Sequence, residues 1–338
     1  MARRRSQFAR LILGVILLAA IVLGASAWWV TTPYKGFGED VIVDFDRGTS
    51  SRVMADKLAA SGVIPSKEAF LLARAAQPWT RLQAGEYLFH DPASPWEVLK
   101  RLTRGDIHYY EFTVPEGSNL FDIAAVVSDL GTMEQADFVR AARDPKLIRD
   151  LAPQAPSLEG YLFPSTYRIT RRTTADQLCR LMTDQFRKHW KQVGGAAPVH
   201  ATVTLASLVE KETGAGPERP LVASVFRNRL GKGMKMECDP TTIYAALLDH
   251  RWTGVIHRSD LDSKNPYNTY QHPGLPPGPI ANPGVAALKA ALHPADSEYL
   301  YFVAKPGGGG HNFSAGLAAH EKAVKEYRRG QSGARKGR

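Results

Sequence analysis

Near its N-terminus, the chain has a run of uncharged residues that is long enough to cross a lipid bilayer. Residues 11–30 carry no charged side chain, whereas residues 1–10 include four arginines. About 20 apolar residues span the hydrocarbon core, and basic flanks favour the cytoplasmic side. We therefore expect a cytoplasmic N-terminus at 1–10, a single-pass transmembrane anchor at 11–30 in the cell inner (cytoplasmic) membrane, and the remainder outside the cytoplasm.

A cleaved signal peptide is the alternative interpretation of the same segment. Ala25-Ser-Ala27 has the A-x-A form of a cleavage site, and Leu11–Leu23 has the length of the apolar region of such a peptide. Both interpretations place the bulk of the chain outside the cytoplasm.

A pattern of alternating and then helical hydrophobic positions occurs twice after this segment. Val41–Phe45 alternates like a strand and Val53–Ala60 has helical spacing; Tyr110–Val114 and Leu120–Leu130 repeat that order, each across a Gly-Ser or Gly-Thr turn. The recurrence indicates an internal duplication. Each copy is either a LysM-like glycan-binding module or a generic packing unit, and we assign 39–108 to a small LysM-like α+β module.

The remaining pattern predicts a larger mixed α+β domain at 109–329. The fold class is thus α+β, with an N-terminal transmembrane helix, small LysM-like modules and this larger unit. Tyr299–Val303 is predicted as a late strand, Gly307–Gly310 as a hairpin turn, and 330–338 as a basic disordered tail. Helices are predicted at Pro95–Thr103, Thr174–Val193, Ala201–Glu212, Pro217–Leu230, Thr241–Leu248, Gly284–Ala291 and Leu317–Arg329.

Charge and cysteine content narrow the choice of partners. The 338 residues carry a formal net charge of +10, which favours an acidic polymer or an anionic surface. The location outside the cytoplasm argues against nucleic acid. Cys179 and Cys238 are too few for a disulfide framework, so buried free thiols are expected, with a single bridge left open.

Glu210 is the strongest candidate for chemistry. The helix predicted at Ala201–Glu212 ends in two glutamates that point about 200° apart, so one cleft can use only one of them. Glu210 shares its face with the small residues Ala206 and Ser207, and poor hydration there should raise its pKa towards neutrality, as a general acid requires. The plain alternative is a surface glutamate near a helix end.

An ordered series of short motifs resembles the YceG-like endolytic murein transglycosylases. The resemblance extends over about 300 residues behind the N-terminal segment. The motifs are Ser157–Tyr167, Leu205-Ala-Ser-Leu-Val-Glu-Lys-Glu-Thr213, Val222–Leu230, Cys238-Asp-Pro-Thr-Thr-Ile-Tyr244, Tyr267-Asn-Thr-Tyr270, Gly274-Leu-Pro-Pro-Gly-Pro-Ile280 and Leu300–Val303. Cys238 and Ser165 depart from the residues common in the family.

The resemblance implies that 109–329 is the catalytic domain and that Glu210 is the catalytic acid. The implied reaction cleaves the glycosidic bond after N-acetylmuramic acid (MurNAc) in nascent peptidoglycan and leaves 1,6-anhydro ends, with glycan-polymerising synthases as partners. Because the sugar's own C6 hydroxyl attacks, one carboxylate can serve as acid and then as base. A non-catalytic membrane-anchored peptidoglycan-binding scaffold and a hydrolase that uses water remain as alternatives.

Several other residues are candidates for supporting roles. Aromatic and amide side chains suit sugar rings and N-acetyl groups, and those expected to contact substrate are Tyr267, Asn268, Tyr270, Glu159 and Tyr161. The candidates for a second carboxylate are Glu218, Asp239, Asp260 and Asp262, for which helix capping or turn bonding is the structural alternative. The histidines lack metal-ligand spacing, so no metal and no cofactor is expected.

Overall fold

The structure, a computed structural model, describes residues 2–193 and 198–336 of the chain. It divides into two compact units, Met1–Tyr109 (unit 1) and Tyr110–Arg338 (unit 2). The helices are α1 (Ala2–Thr31), α2 (Ser51–Ala60), α3 (Lys67–Ala75), α4 (Pro95–Arg104), α5 (Leu120–Asp129), α6 (Gln135–Ala142), α7 (Ala175–Val193), α8 (Val199–Glu212), α9 (Arg219–Gly231), α10 (Asp239–Leu248), α11 (Arg258–Leu261), α12 (Val285–Leu292) and α13 (Leu317–Lys336). The strands are β1 (Val41–Phe45), β2 (Gly85–Phe89), β3 (Tyr110–Thr113), β4 (Thr166–Ile169), β5 (Tyr301–Ala304) and β6 (His311–Ser314). Short 3-10 helices cover Pro145–Ile148 and Gly216–Glu218.

Helix α1 contains one stretch that is long and apolar enough to cross a membrane. This stretch, Arg10–Thr31, has 22 residues and a mean hydropathy of 2.5 at its most apolar window. The last turn of the helix belongs to unit 1, because Val30 is 7% exposed and packs into the core of that unit. The helix therefore continues directly into a folded unit.

Unit 1 is a two-stranded antiparallel sheet covered by three helices. Strand β1 pairs with β2 so that Val43 lies opposite Tyr87. The inward side chains Phe45, Tyr87 and Phe89 are buried against α2, α3 and α4. Side-chain caps fix where the helices begin; Ser94 and Glu97 form a capping box at α4. The alternating strand pattern thus supplies the core face of the sheet.

Unit 2 begins with the same order of elements as unit 1. Strand β3, helices α5 and α6 and strand β4 follow one another, and β3 pairs antiparallel with β4, with Phe112 opposite Tyr167. The strand–turn–helix order predicted for both copies is confirmed. The returning strand β4 was not predicted, because Thr166–Ile169 follows a proline-containing turn and is only four residues long.

Helix α8 runs through the interior of unit 2. Every residue from Thr202 to Val209 is buried, whereas Ala201 is exposed. The spacing of Ala201, Leu205 and Leu208 predicts a buried stripe on one face of this helix, and that prediction is wrong for Ala201 and for the single face. A helix that is apolar or small on all sides is a buried helix. Helices α9, α10 and α12 pack around α8.

The C-terminal part of unit 2 is a hairpin followed by a long helix. Strands β5 and β6 pair antiparallel across residues 305–310, which confirms the predicted glycine-rich turn. Helix α13 continues to Lys336, beyond the predicted end at Arg329. Residues 337–338 of the predicted tail lie outside the described residues. Cys179 and Cys238 are buried free thiols in different core clusters, as expected.

Gly160 is a position where a side chain cannot be accommodated. Its φ is +87°, and a Cβ atom there would lie 2.4 Å from Pro279 Cγ. Overpacking and the left-handed backbone together should make Gly160→Ala destabilising by about 2–4 kcal/mol in chemical denaturation of the purified chain. The matched control is Gly131→Ala, because Gly131 has a φ of +64° and open space around it. Equal losses for the two variants would contradict the steric argument.

Candidate active site

The carboxylate of Glu210 lies at the C-terminal end of the buried helix α8. Its side chain is 4% exposed. One oxygen accepts a hydrogen bond from Arg219 Nη2 at 2.8 Å, and the other accepts the backbone N–H of Gly284 at 2.9 Å. The sequence predicts an uncharged, poorly hydrated neighbourhood for Glu210; the poor hydration is present, but a guanidinium and a backbone donor compensate for it.

Arg219 is the first residue of α9 and faces Glu210 from the helix start. Its side chain is 12% exposed. The Nε atom is buried and has no hydrogen-bond partner in the described part of the chain. Arg219 thus places a cation in the site, with Nη2 bonded to Glu210 and Nε without a partner among the described residues.

Asn282 holds the two loops of the site together. Its side chain donates to Ser118 O at 2.9 Å and to Glu159 Oε1 at 3.0 Å, and accepts from Leu162 N at 2.9 Å. Its backbone exchanges hydrogen bonds with the β3–α5 turn, at Gly117 N and Ser118 O. Since the side chain is fully buried, this network fixes the turn against the loop that precedes α12.

The fixed turn presents a second carboxylate, Glu116, beside the first. A Cβ atom built on Gly284 would lie 1.8 Å from Glu116 Oε1. Because Gly284 N–H also binds Glu210, the two carboxylates lie at most about 7 Å apart. Glu116 is exposed on its outer side; partial burial and the charge of Glu210 raise its pKa, while Arg219 opposes that rise.

Glu212 faces a different part of unit 2, which confirms that the two glutamates of α8 point apart. It lines a cavity of about 290 Å³ together with Asp239, Tyr270 and His320. Burial raises the pKa of Glu212, and the Cys238 thiol, which is hydrogen-bonded to it, lowers that pKa. Glu210 does not line this cavity.

Three of the predicted substrate contacts are buried side chains with structural bonds. Glu159, Tyr161 and Asn268 are at most 1% exposed. Tyr161 is hydrogen-bonded to His200 at 3.0 Å, and Asn268 donates to Asp260 O, Leu261 O and Ser263 O. A glycan cannot reach these groups in this structure, so here they hold the chain rather than face a ligand.

The two predicted tyrosine contacts are partly buried. Tyr267 packs on Tyr244 with ring centroids 5.1 Å apart. The Tyr270 hydroxyl donates to Asp239 Oδ1 at 2.6 Å and belongs to the Glu212 cavity. The predicted contact of Tyr267 and Tyr270 with substrate stays a prediction.

None of the four predicted candidates for a second carboxylate is bonded to Glu210. Glu218 binds His311 Nδ1 at 2.7 Å, Asp239 accepts from Tyr270, Asp260 caps α11 and binds Arg251, and Asp262 pairs with Arg258. Each therefore has the capping or pairing role that was the structural alternative. The carboxylate that does lie beside Glu210 is Glu116.

Sequence reasoning missed Glu116, Arg219 and Asn282. Glu116 lies in the Gly-Ser turn before the helix predicted at Leu120–Leu130. Nothing in the sequence relates it to a helix about 90 residues later. Arg219 follows a helix-start proline motif, where a basic residue gives no specific sign of chemistry. No group of three or more His, Cys, Asp or Glu within residues 2–193 and 198–336 could hold a metal ion.

Comparison with known proteins decides the family. The model of the YceG-like family matches residues 43–326. The chain belongs to the YceG-like family. A protein of Bacillus subtilis named endolytic murein transglycosylase is 33% identical over 85% of this chain and 84% of its own length.

Further similarities agree with membership of the YceG-like family. A Streptococcus pneumoniae protein, also named endolytic murein transglycosylase, is 27% identical; the match covers 85% of this chain but 58% of that protein. The crystal structure of a putative yceG-like protein from Listeria monocytogenes is 30% identical, with a TM-score of 0.54. That match covers 85% of this chain and 99% of the other.

The buried Glu159 makes the stability of this YceG-like chain depend on pH. Burial raises its pKa from 4.5 to about 8, against hydrogen bonds from Leu120 N–H and Tyr244 that lower it. Between these values the folded chain keeps a proton that the unfolded chain releases. The free energy of unfolding therefore falls as the pH rises from about 4.5 to about 8, by an amount on the order of a few kcal/mol.

Urea denaturation of the wild type and Glu159→Gln between pH 4.5 and 8 measures this effect. We expect the variant to be less stable at low pH but to have the flatter pH dependence, since its amide does not titrate. Parallel stability profiles would contradict the assignment.

Proposed function

We propose that this chain is an endolytic murein transglycosylase that cleaves glycan strands of peptidoglycan, with Glu210 as its catalytic acid. The observation that carries the proposal is the carboxylate of Glu210. It is nearly buried, at the end of the helix whose sequence matches the family motif, and it lies beside a cation, a backbone donor and a second carboxyl. The 33% identity over most of both chains to a protein named for this activity supports it.

In the proposed reaction, the protonated Glu210 gives its proton to the bridging oxygen after MurNAc. The bond between that oxygen and the anomeric carbon breaks, and the sugar's C6 hydroxyl attacks the anomeric carbon. The ionised Glu210 then takes the hydroxyl proton, so the product carries a 1,6-anhydro ring and no water is consumed. A separate carboxylate to activate water, which most glycosidases need, is not required.

Glu210→Gln tests the acid. Since an amide cannot donate this proton, we expect cleavage of purified glycan strands to fall by at least about 10²-fold. The fold should persist, because glutamine retains an oxygen for Arg219 or for Gly284 N–H. Glu326→Gln, a change of the same kind at an exposed position of α13, should keep wild-type activity. Full activity in Glu210→Gln would contradict the proposal.

Mass spectrometry of the digested strands separates the proposed reaction from its alternatives. Anhydro ends are lighter by one water than the reducing ends that a hydrolase leaves, so reducing ends would favour a hydrolase that uses water. A non-catalytic peptidoglycan-binding scaffold would give no cleavage at all, and its function in cells would survive Glu210→Gln.

We infer that α1 is retained as a membrane anchor with its N-terminus in the cytoplasm and both units outside. The 22-residue span Arg10–Thr31, which is apolar in its central part, and the arginines at its start and before it support this topology. The intact mass of protein purified from membranes should include residues 1–27. A mature chain that starts after Ala27 would show instead that the segment is a cleaved signal peptide.

Unit 1 and the first part of unit 2 are proposed to be LysM-like and to bind glycan. The strand–helix–helix–strand order that both share supports this assignment. We further propose that 39–108 is the LysM-like module and that 109–329 is the catalytic domain. The enzyme would act beside peptidoglycan synthases at the membrane and limit strand length. Nucleic acid would not be a partner.

A further inference from the structure

Glu116 is the acidic group that the single-carboxylate mechanism leaves unused. It sits in the β3–α5 turn, between Pro115 and the positive-φ Gly117. Gly117 N–H donates to Asn282 O, and the Lys211 ammonium donates to Gly117 O at 3.2 Å. The backbone on either side of Glu116 is thus held by the same elements that carry Glu210.

The contacts of Glu210 create a need that Glu116 can meet. As the structure stands, Arg219 and Gly284 N–H each donate to one oxygen of the Glu210 carboxylate. Cleavage requires a proton on one of these two oxygens. A neighbouring group that can supply the proton would meet that requirement.

We propose that Glu116 is the proton store of the active site: it holds the proton while Glu210 is paired with Arg219 and passes it to Glu210 for cleavage. This inference rests on the proposed function. The two carboxyls both lie against Gly284, at most about 7 Å apart, so the proton would pass between them directly or through bridging water. Glu116 is exposed on its outer side, where it exchanges protons with solvent.

Each proton that is released during the proposed cycle is taken up again. The O–H bond of Glu116 breaks, and the proton joins the Glu210 carboxylate; the negative charge then rests on Glu116, which also interacts with Arg219. Glu210 gives the proton to the bridging oxygen and receives one from the C6 hydroxyl. That proton returns to Glu116, and Glu210 pairs with Arg219 again.

The charged groups around Glu116 agree with storage of one proton. Glu210 and partial burial raise the pKa of Glu116, and Arg219 on α9 lowers it. Lys211 on α8 is bonded to the adjacent Gly117 O, and Asp122 on α5 caps its own helix at Asn119. The charge of Glu210 therefore makes Glu116 hold its proton to a higher pH than it would without that neighbour.

The pH dependence of kcat/KM for strand cleavage by the full-length protein in detergent tests the store. In Glu116→Gln, the active site lacks the second carboxyl group that would hold the proton beside Glu210 and Arg219. We expect the alkaline limb to move down by about one pH unit, which is a roughly tenfold loss at neutral pH. Activity should return at low pH.

Gly284→Ala is a second variant that changes no charge. Its Cβ must displace the Glu116 carboxylate but leaves the N–H of residue 284 available to Glu210. We expect the alkaline limb to move in the same direction. Glu326→Gln, which changes an exposed glutamate of α13, should keep the wild-type profile.

Two outcomes overturn the inference while leaving the proposed function intact. One is a Glu116→Gln enzyme with an unchanged alkaline limb; the other is an activity loss of the same factor at every pH, which a merely structural role would give. Absence of cleavage by the wild type would instead refute the proposed function. In that case, ¹³C NMR titration of the Glu116 carboxyl still tests the coupling: its midpoint should fall in Glu210→Gln, and an unchanged midpoint overturns the inference.

Discussion

The carboxylate of Glu210, nearly removed from water at the end of a buried helix, is the constraint on which the site depends. An ionised carboxylate that is nearly removed from water needs an opposite charge and hydrogen-bond donors close by. Arg219 and the N–H of Gly284 meet that need for Glu210. Gly284 is in place because Asn282 ties its loop to the β3–α5 turn. One buried charge therefore fixes the mutual position of segments far apart in sequence.

The burial of α8 separates two environments that are adjacent in sequence. Glu210 is bonded to a cation and lies beside Glu116, whereas Glu212 lines a polar cavity with Asp239 and Tyr270. The helical rotation between residues two apart produces this separation. Two glutamates of one short motif therefore have different neighbours.

Most of the secondary structure could be predicted from local sequence patterns. Most of the candidate site could not, because it is formed by contacts between residues far apart in sequence. The alternation in Val41–Phe45 and the helical spacing up to Ala60 fixed their elements nearly to the residue, because burial of one face repeats with the period of the element. The face of α8 was predicted wrongly since surrounding helices cover it on every side. Asn268 suited a sugar chemically, yet its amide serves three backbone carbonyls of a loop. Glu116 could not be connected to Glu210, because only the folded loop of Asn282 brings them together.

The direct packing of α1 into unit 1 limits how the two can move relative to each other. Val30 belongs both to the apolar helix and to the core of unit 1. Because Val30 is shared in this way, the apolar helix enters unit 1 without a flexible linker. The direction of the helix and the orientation of unit 1 are therefore coupled.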